Sequence, residues 1–104
     1  MTSGVYCITN LVTGAQYVGR AKRIEERYRQ HIFALTSGSH NNKRLLEDWK
    51  NYKAETFRFQ ILEECCDRYL LSSLESAWIA RLQPEYNVNS ENVRASSFTA
   101  STSY

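Results

Sequence analysis

Arg27 and His31 stand four residues apart in a segment whose apolar residues recur at helical spacing. Ile24, Tyr28, Ile32 and Leu35 fall at i, i+4, i+8 and i+11, which predicts a helix near 22–35. At about 100° per residue, Arg27 and His31 lie roughly 60° and 20° from Ile24, along one flank of the apolar stripe. A guanidinium and an imidazole so placed are half-buried side by side. In isolation the placement fits a snorkelling Arg beside a satisfied boundary His. Glu75 is odder. Its i−4 and i+4 neighbours on another predicted helix are Leu71 and Ile79. A carboxylate in apolar company needs a cation, a metal or a hydrogen-bond donor. An ion pair with an Arg at the core boundary and a metal site both meet that need. Tyr6 and Tyr17 fall on two short β-like segments, where a cross-strand aromatic pair ordinarily packs a sheet.

Other chemistries lack support. Cys7, Cys65 and Cys66 are odd in number and form no C-x-x-C, so a disulfide framework is excluded. A reducing, cytoplasmic setting fits such a chain, which also lacks the look of a secreted protein. His31 and His40 have no zinc-finger spacing to the cysteines. No Walker-type loop, G-x-G-x-x-G or local nucleophile–histidine pairing occurs.

The elements that must position these residues follow from the change of period. Residues 4–9 and 15–19 read as strands around an Asn-Leu-Val-Thr loop. If Thr9 pairs with Gly14, Tyr6 lies opposite Tyr17, and Gly4 faces Gly19 at the open end. After the helix near 22–35, a second is predicted near 41–52, with Leu45, Leu46, Trp49 and Tyr52 on its apolar face. Residues 56–62 alternate as a third strand. A third helix near 67–82 carries Leu70, Leu71, Leu74, Trp78 and Leu82, and Pro84 follows its end. The expected fold is α+β: a small three-stranded antiparallel sheet flanked by three or more helices. Residues 1–90 make one domain, and 91–104 are a Ser/Thr-rich tail without period.

The chain has 104 residues, enough for a single core. Its composition, 42% hydrophobic and 23% charged, is that of a globular domain rather than a disordered one. No apolar run reaches the length of a membrane span, so no membrane role is expected. The net charge of +2 does not by itself signal nucleic acid. Its distribution says more. Arg20, Lys22, Arg23, Arg27 and Arg29 stand close together against Glu25 and Glu26. Charge alone fits a solvated helix face.

The ordered set of motifs resembles the GIY-YIG nuclease superfamily. Gly4-Val5-Tyr6 and Tyr17-Val18-Gly19 are similar to its two naming tripeptides, with Val for Ile in both. Arg27 and His31 match its R-x-x-x-H, Glu75 its metal-binding glutamate and Asn87 its terminal asparagine. The likeness covers roughly residues 3–88. It is nearest to the catalytic domains of phage and intron homing endonucleases, which also carry a basic stretch and a His near position 40. The resemblance implies a DNA endonuclease that uses one Mg²⁺ or Mn²⁺ held by Glu75, in a bacterial or phage-infected cell. By the same resemblance, Arg27 holds the scissile phosphate, and Tyr6, Tyr17 and His31 share the general-base and relay roles. Arg20, Lys22, Arg23 and His40 contact DNA, and Gly4, Gly19 and Asn87 are structural or support the site. A DNA-binding or regulatory module with little cleavage and a structure-selective, repair-type nuclease are the alternatives. A damaged site would favour the first, and none is visible.

Homing members usually join this domain to a separate DNA-binding region, and no such region follows residue 88. The expectation is weak, salt-sensitive DNA binding with poor sequence discrimination. A partner or a second copy would then supply recognition. Titrating a random duplex library at two salt concentrations, then sequencing the bound fraction, checks this. A single long motif bound at nanomolar affinity by the monomer would contradict it.

Overall fold

A computed structural model describes residues 1–87. The expected tail over 91–104 lies outside the described residues. Strand β1 (Gly4–Asn10) is followed by β2 (Gln16–Ala21), helix α1 (Ile24–Ser37), helix α2 (Lys43–Tyr52), strand β3 (Phe57–Glu64) and helix α3 (Arg68–Leu82). Short 3₁₀ turns occupy Ala54–Thr56 and Glu85–Asn87. The sheet is antiparallel, in the order β2-β1-β3. This is the α+β architecture expected.

The central strand sorts the core into two layers because its side chains alternate. Tyr6 and Ile8 face one side, where they pack with Ile24, Leu35, Leu45, Phe57 and Tyr86. Val5 and Cys7 face the other, joining Val18 under Leu74, Trp78, Ile79 and Leu82 of α3. Helices α1 and α2 therefore cover one face and α3 the other, and β2 is the edge where the two layers meet. All three cysteines are free.

The hairpin register differs from the expected one by two residues. Tyr6 pairs with Gly19, Ile8 with Tyr17, and Gly4 with Ala21. The loop explains the shift. Asn10 stays within the ladder, donating to the Ala15 carbonyl at 2.8 Å. Its side-chain oxygen accepts from Val12 and Thr13 at 3.0 and 3.3 Å, an Asx-type turn. Gly14, at φ 81°, closes the loop rather than starting the strand. A slip of two leaves every side chain on its face, so Tyr6 and Tyr17 still share one, with ring centroids 6.3 Å apart.

Two predicted stripes also change. On α1 the buried positions are Ile24, His31 and Leu35, while Ile32 is 42% exposed. Position i+7 returns to within about 20° of the stripe centre, whereas i+8 sits about 80° off it. On α3, Leu70 turns outward and Ile79 packs inward.

Asn87 finishes the edge. Its Oδ1 accepts from the Val18 N–H at 2.7 Å and its Nδ2 donates to the Val18 carbonyl at 2.8 Å. One amide side chain thus pairs with β2 as a neighbouring strand would.

The new register puts Gly19 beneath Tyr6. A Cβ at Gly19 would lie 2.5 Å from the Tyr6 hydroxyl and 2.6 Å from Cζ. Gly4 is confined in the same way by the Glu63 carbonyl, beside an irregularity in the β1–β3 pairing. Gly19→Ala should therefore cost about 1–3 kcal/mol, the usual toll of overpacking. Urea unfolding would read it as a lower midpoint at unchanged slope. A wild-type midpoint would mean that the Tyr6 ring does not cross this position.

Candidate active site

Four elements deliver side chains to one pocket at the β2 edge. Tyr6 from β1, Tyr17, Gly19 and Arg20 from β2, Arg27 from α1 and Glu75 from α3 line a cavity of about 350 Å³. Strand alternation explains how both layers contribute. Tyr17 and Gly19 point toward α1, whereas Arg20 points toward α3. The Tyr6 ring passes over Gly19, so it borders the pocket although the residue is fully buried in the core.

Glu75 is held at that edge by Arg20, whose Nη1 donates to Oε1 at 2.6 Å. Arg20 is half exposed and Glu75 is largely shielded. Of the outcomes suggested for a carboxylate in apolar company, the Arg partner is present, and Glu75 also lines the polar pocket. Among the described residues, Oε2 has no hydrogen-bond partner, and no group of three His, Cys, Asp or Glu gathers as a metal cage. Arg27 makes no ion pair among the described residues. It lines this pocket and the two concavities beside it.

Behind the pocket runs a chain of short hydrogen bonds. Tyr6 Oη lies 2.7 Å from His31 Nε2, and His31 Nδ1 lies 2.7 Å from His40 Nε2. The Asn42 N–H donates to His40 Nδ1 at 3.0 Å. That backbone donor fixes the order of protons. With Nδ1 an acceptor, neutral His40 carries its hydrogen on Nε2 and donates to His31 Nδ1. Neutral His31 then carries its hydrogen on Nε2 and donates to Tyr6. The reverse order would leave His40 with no proton at all. Tyr6 thus accepts from His31 and keeps its own O–H for the pocket.

Both histidines stay neutral near pH 7. Burial, then His40, then the Arg27 charge push the His31 pKa down to about 4. Burial lowers His40 as well. Burial is also the main force raising the phenols of Tyr6 and Tyr17, against which the Arg27 charge acts.

The structure brings Tyr6, Tyr17, Arg27, His31 and Glu75 together. It corrects His40 as a DNA contact. His40 is buried and both its nitrogens are engaged within the protein, so it has none to offer a phosphate. Lys22 and Arg23 border the neighbouring groove with Arg20. Gly4, Gly19 and Asn87 act on the backbone of the sheet.

Sequence reasoning missed Asn42 and Tyr86. Asn42 caps α2 by accepting from Leu45 N at 3.0 Å, and its Nδ2 donates to the Tyr86 carbonyl at 2.8 Å. Buried Tyr86 accepts from Asn10 at 3.2 Å and donates to Asp48 at 2.7 Å. An Asn just before a predicted helix was the available signal for the first. A lone Tyr after Pro84 gave none for the second.

Known proteins show the same architecture. Residues 2–87 match the family described as the GIY-YIG catalytic domain. Over 88 residues the chain is 34% identical to intron-associated endonuclease 1 of Enterobacteria phage T4, covering 84% of this chain and 36% of that protein. The chain thus spans about a third of that relative's length. A solved catalytic domain of homing endonuclease I-TevI superposes with a TM-score of 0.71 at 33% identity, covering 78% of this chain and 88% of that one. A mutant of the I-TevI catalytic domain gives 0.76 at 31%, covering 94% and 99%.

The neutral relay predicts a pH signature. His31 should keep the Nε2–H tautomer and remain uncharged until pH approaches about 4. Unfolded His31 binds its proton near pH 6.5, so the unfolded state holds more protons between about 4 and 6.5. Stability should therefore fall as pH drops through that window. Long-range ¹H–¹⁵N NMR of the imidazoles and melting temperature against pH check both statements. A His31 midpoint near 6.5 would contradict the relay.

Proposed function

The chain belongs to the GIY-YIG catalytic-domain family, and on that premise we propose that it is a divalent-metal-dependent DNA endonuclease that hydrolyses phosphodiester bonds with one metal ion. One observation carries the reading: Tyr6, Tyr17, Arg27 and Glu75, from four elements, meet around a single polar pocket. A structural salt bridge alone would not require two phenols and a guanidinium without an ion pair among the described residues beside it.

The donor set fits Mg²⁺ or Mn²⁺. These hard cations take oxygen ligands, and Mg²⁺ is commonly bound by one or two carboxylates with water and phosphate. Glu75 is the carboxylate of the pocket, and its Oε2 is without a hydrogen bond among the described residues. When bound, the ion would neutralise charge on the phosphate and on the departing sugar oxygen.

The remaining work falls to this chain's own groups. Arg27 offers a planar fork of donors to the scissile phosphate, matched to its non-bridging oxygens. Its contribution grows as charge builds on the pentavalent phosphorus. Water forms the new bond to phosphorus, the bond to the sugar oxygen breaks, and the water's proton must leave. Tyr6 is the nearest candidate to take it, as a phenolate whose own proton has first passed to solvent, and the departing sugar oxygen is protonated from solvent. The His31 N–H stabilises a phenolate there, and positive charge entering the pocket favours that form over the burial that opposes it. His31 is a positioning residue, since its Nε2 is already a donor to Tyr6. His40 and the Asn42 N–H hold its tautomer. Tyr17 supplies a second hydroxyl at the mouth, suited to orienting the water.

Nicking of supercoiled plasmid, with Mg²⁺ or Mn²⁺ and with chelator, tests the proposal. Metal should be required. Glu75→Gln should nearly abolish cleavage while DNA binding persists, and Arg27→Ala should slow it on the order of 10²-fold. Tyr6→Phe should fold normally and cleave slowly. Wild-type rates in Glu75→Gln would end the one-metal reading. Binding without cleavage under every metal condition would favour a DNA-binding module on this fold.

A further inference from the structure

A larger groove of about 600 Å³ adjoins the pocket and shares Arg20 and Arg27 with it. It runs between the start of α1 and the start of α3. Lys22 and Arg23 line one side, Arg68 and Tyr69 the other. Its lining carries five cationic side chains against one carboxylate, Glu26. That carboxylate meets Arg23 only at 3.8 Å, between two exposed side chains, which neutralises little.

Arg68 and Tyr69 form a unit. The Arg68 guanidinium lies over the Tyr69 ring, 5.2 Å from its centroid, with Nη2 3.2 Å from the phenol oxygen. The ring itself is 78% exposed. Asp67 caps α3 by accepting from the Tyr69 N–H at 2.8 Å, which ties the pair's backbone to the helix. A large aromatic surface so exposed, backed by a cation and lining a cationic groove, has no packing role among the described residues. Such a surface suits nucleic acid, where phosphates alternate with flat sugar–base faces.

We propose that this groove carries the DNA strand flanking the scissile phosphate, with Arg68 on a neighbouring phosphate and the Tyr69 ring against the adjoining sugar–base face. The inference rests on the nuclease reading and extends it to a path. Arg27 marks the cut, Arg20 lies where pocket and groove meet, and Arg68 and Tyr69 hold the strand beyond it. Continuity through Arg20 and Arg27 favours a ligand that fills both concavities at once. A polymer of evenly spaced phosphates does so, and a small acidic metabolite does not.

Fluorescence anisotropy on a random duplex in chelator, over a range of NaCl, tests the path without any cleavage. Arg68→Ala should weaken binding for all sequences alike and lower the log–log salt slope by about 0.9, the value for one phosphate contact. Arg68→Lys should restore that slope. Tyr69→Ala should weaken binding severalfold with the slope unchanged, as loss of an uncharged face requires. Arg58→Ala, which removes the same charge from the opposite edge strand, should do neither. Melting temperatures confirm that these exposed changes leave the fold intact. Wild-type affinity and slope in both Arg68→Ala and Tyr69→Ala would overturn the groove while leaving the nuclease standing. Failure of the wild-type chain to bind or cut DNA would overturn the nuclease reading itself.

Discussion

The Tyr6 ring crosses Gly19 at a distance that excludes a Cβ, and most of the site's geometry follows from that crossing. Tyr6 is rooted in the central strand, where every neighbour is fixed by hydrogen bonds on both sides. A side chain there would normally end in the core. Passing over Gly19 carries the hydroxyl to the edge of β2, where it meets side chains from both layers. The same passage brings Oη within reach of His31, so the buried phenol borders the pocket at one side and is bonded at the other. The Val18 contacts of Asn87 matter for the same reason. An edge strand held on one side only would let the crossing open, and the amide of Asn87 supplies the missing side.

The nature of the relay follows from its anchor. Side-chain hydrogen bonds between two imidazoles and a phenol have no inherent direction, since each ring can carry its hydrogen on either nitrogen. A backbone N–H can only donate. By ending on the Asn42 amide, the chain acquires one allowed order of protons, and every proton in it points toward the pocket. Asn42 keeps that amide in place with its own side chain, which caps α2 and ties it to Tyr86. A helix cap thus sets the tautomer of a histidine two rings from the phenol that it serves.

Most of the scaffold was legible in the sequence because its signals are local. The change of period between residues 19 and 24, and again around 56 and 67, marks every long element to within a few residues. The hairpin register was not legible, because it depends on Asn10 bonding two loop amides with its side chain, a choice that composition does not force. The burial of His31 in place of Ile32 was half legible. The angular position favours His31, but hydropathy favours Ile32, and the neighbouring phenol and imidazole decide the matter by satisfying the ring. His40 was misread because a histidine in a Ser/Asn-rich loop looks solvent-facing until its partner is known. Arg68 and Tyr69 drew no notice at all. They stand far along the chain from the basic helix, and only the packing of α3 against β2 brings them beside it.

The charge arrangement of the pocket explains why one carboxylate suffices there. A second acidic group beside Glu75 would repel it and raise the cost of burying either. Here Arg20 meets Glu75 instead, from the next residue after Gly19 on the opposite face of the same strand. The alternation that sends Gly19 under Tyr6 therefore also sends Arg20 to Glu75. One dipeptide makes room for the phenol and restrains the carboxylate. Because Arg20 binds a single oxygen, the acid is held in position without being fully enclosed. Both histidines remain neutral, so the charged groups of the pocket are the guanidiniums of Arg20 and Arg27 against the one carboxylate of Glu75. On the proposed path, a phosphodiester approaching along the basic groove would meet cationic side chains up to Arg27, with Glu75 as the local anion. On the proposed nuclease reading, a divalent ion would be drawn to that anion and the strand to the cations around it. On that reading the ion would take the Glu75 oxygen that Arg20 leaves unbonded, and the phosphate would take Arg27.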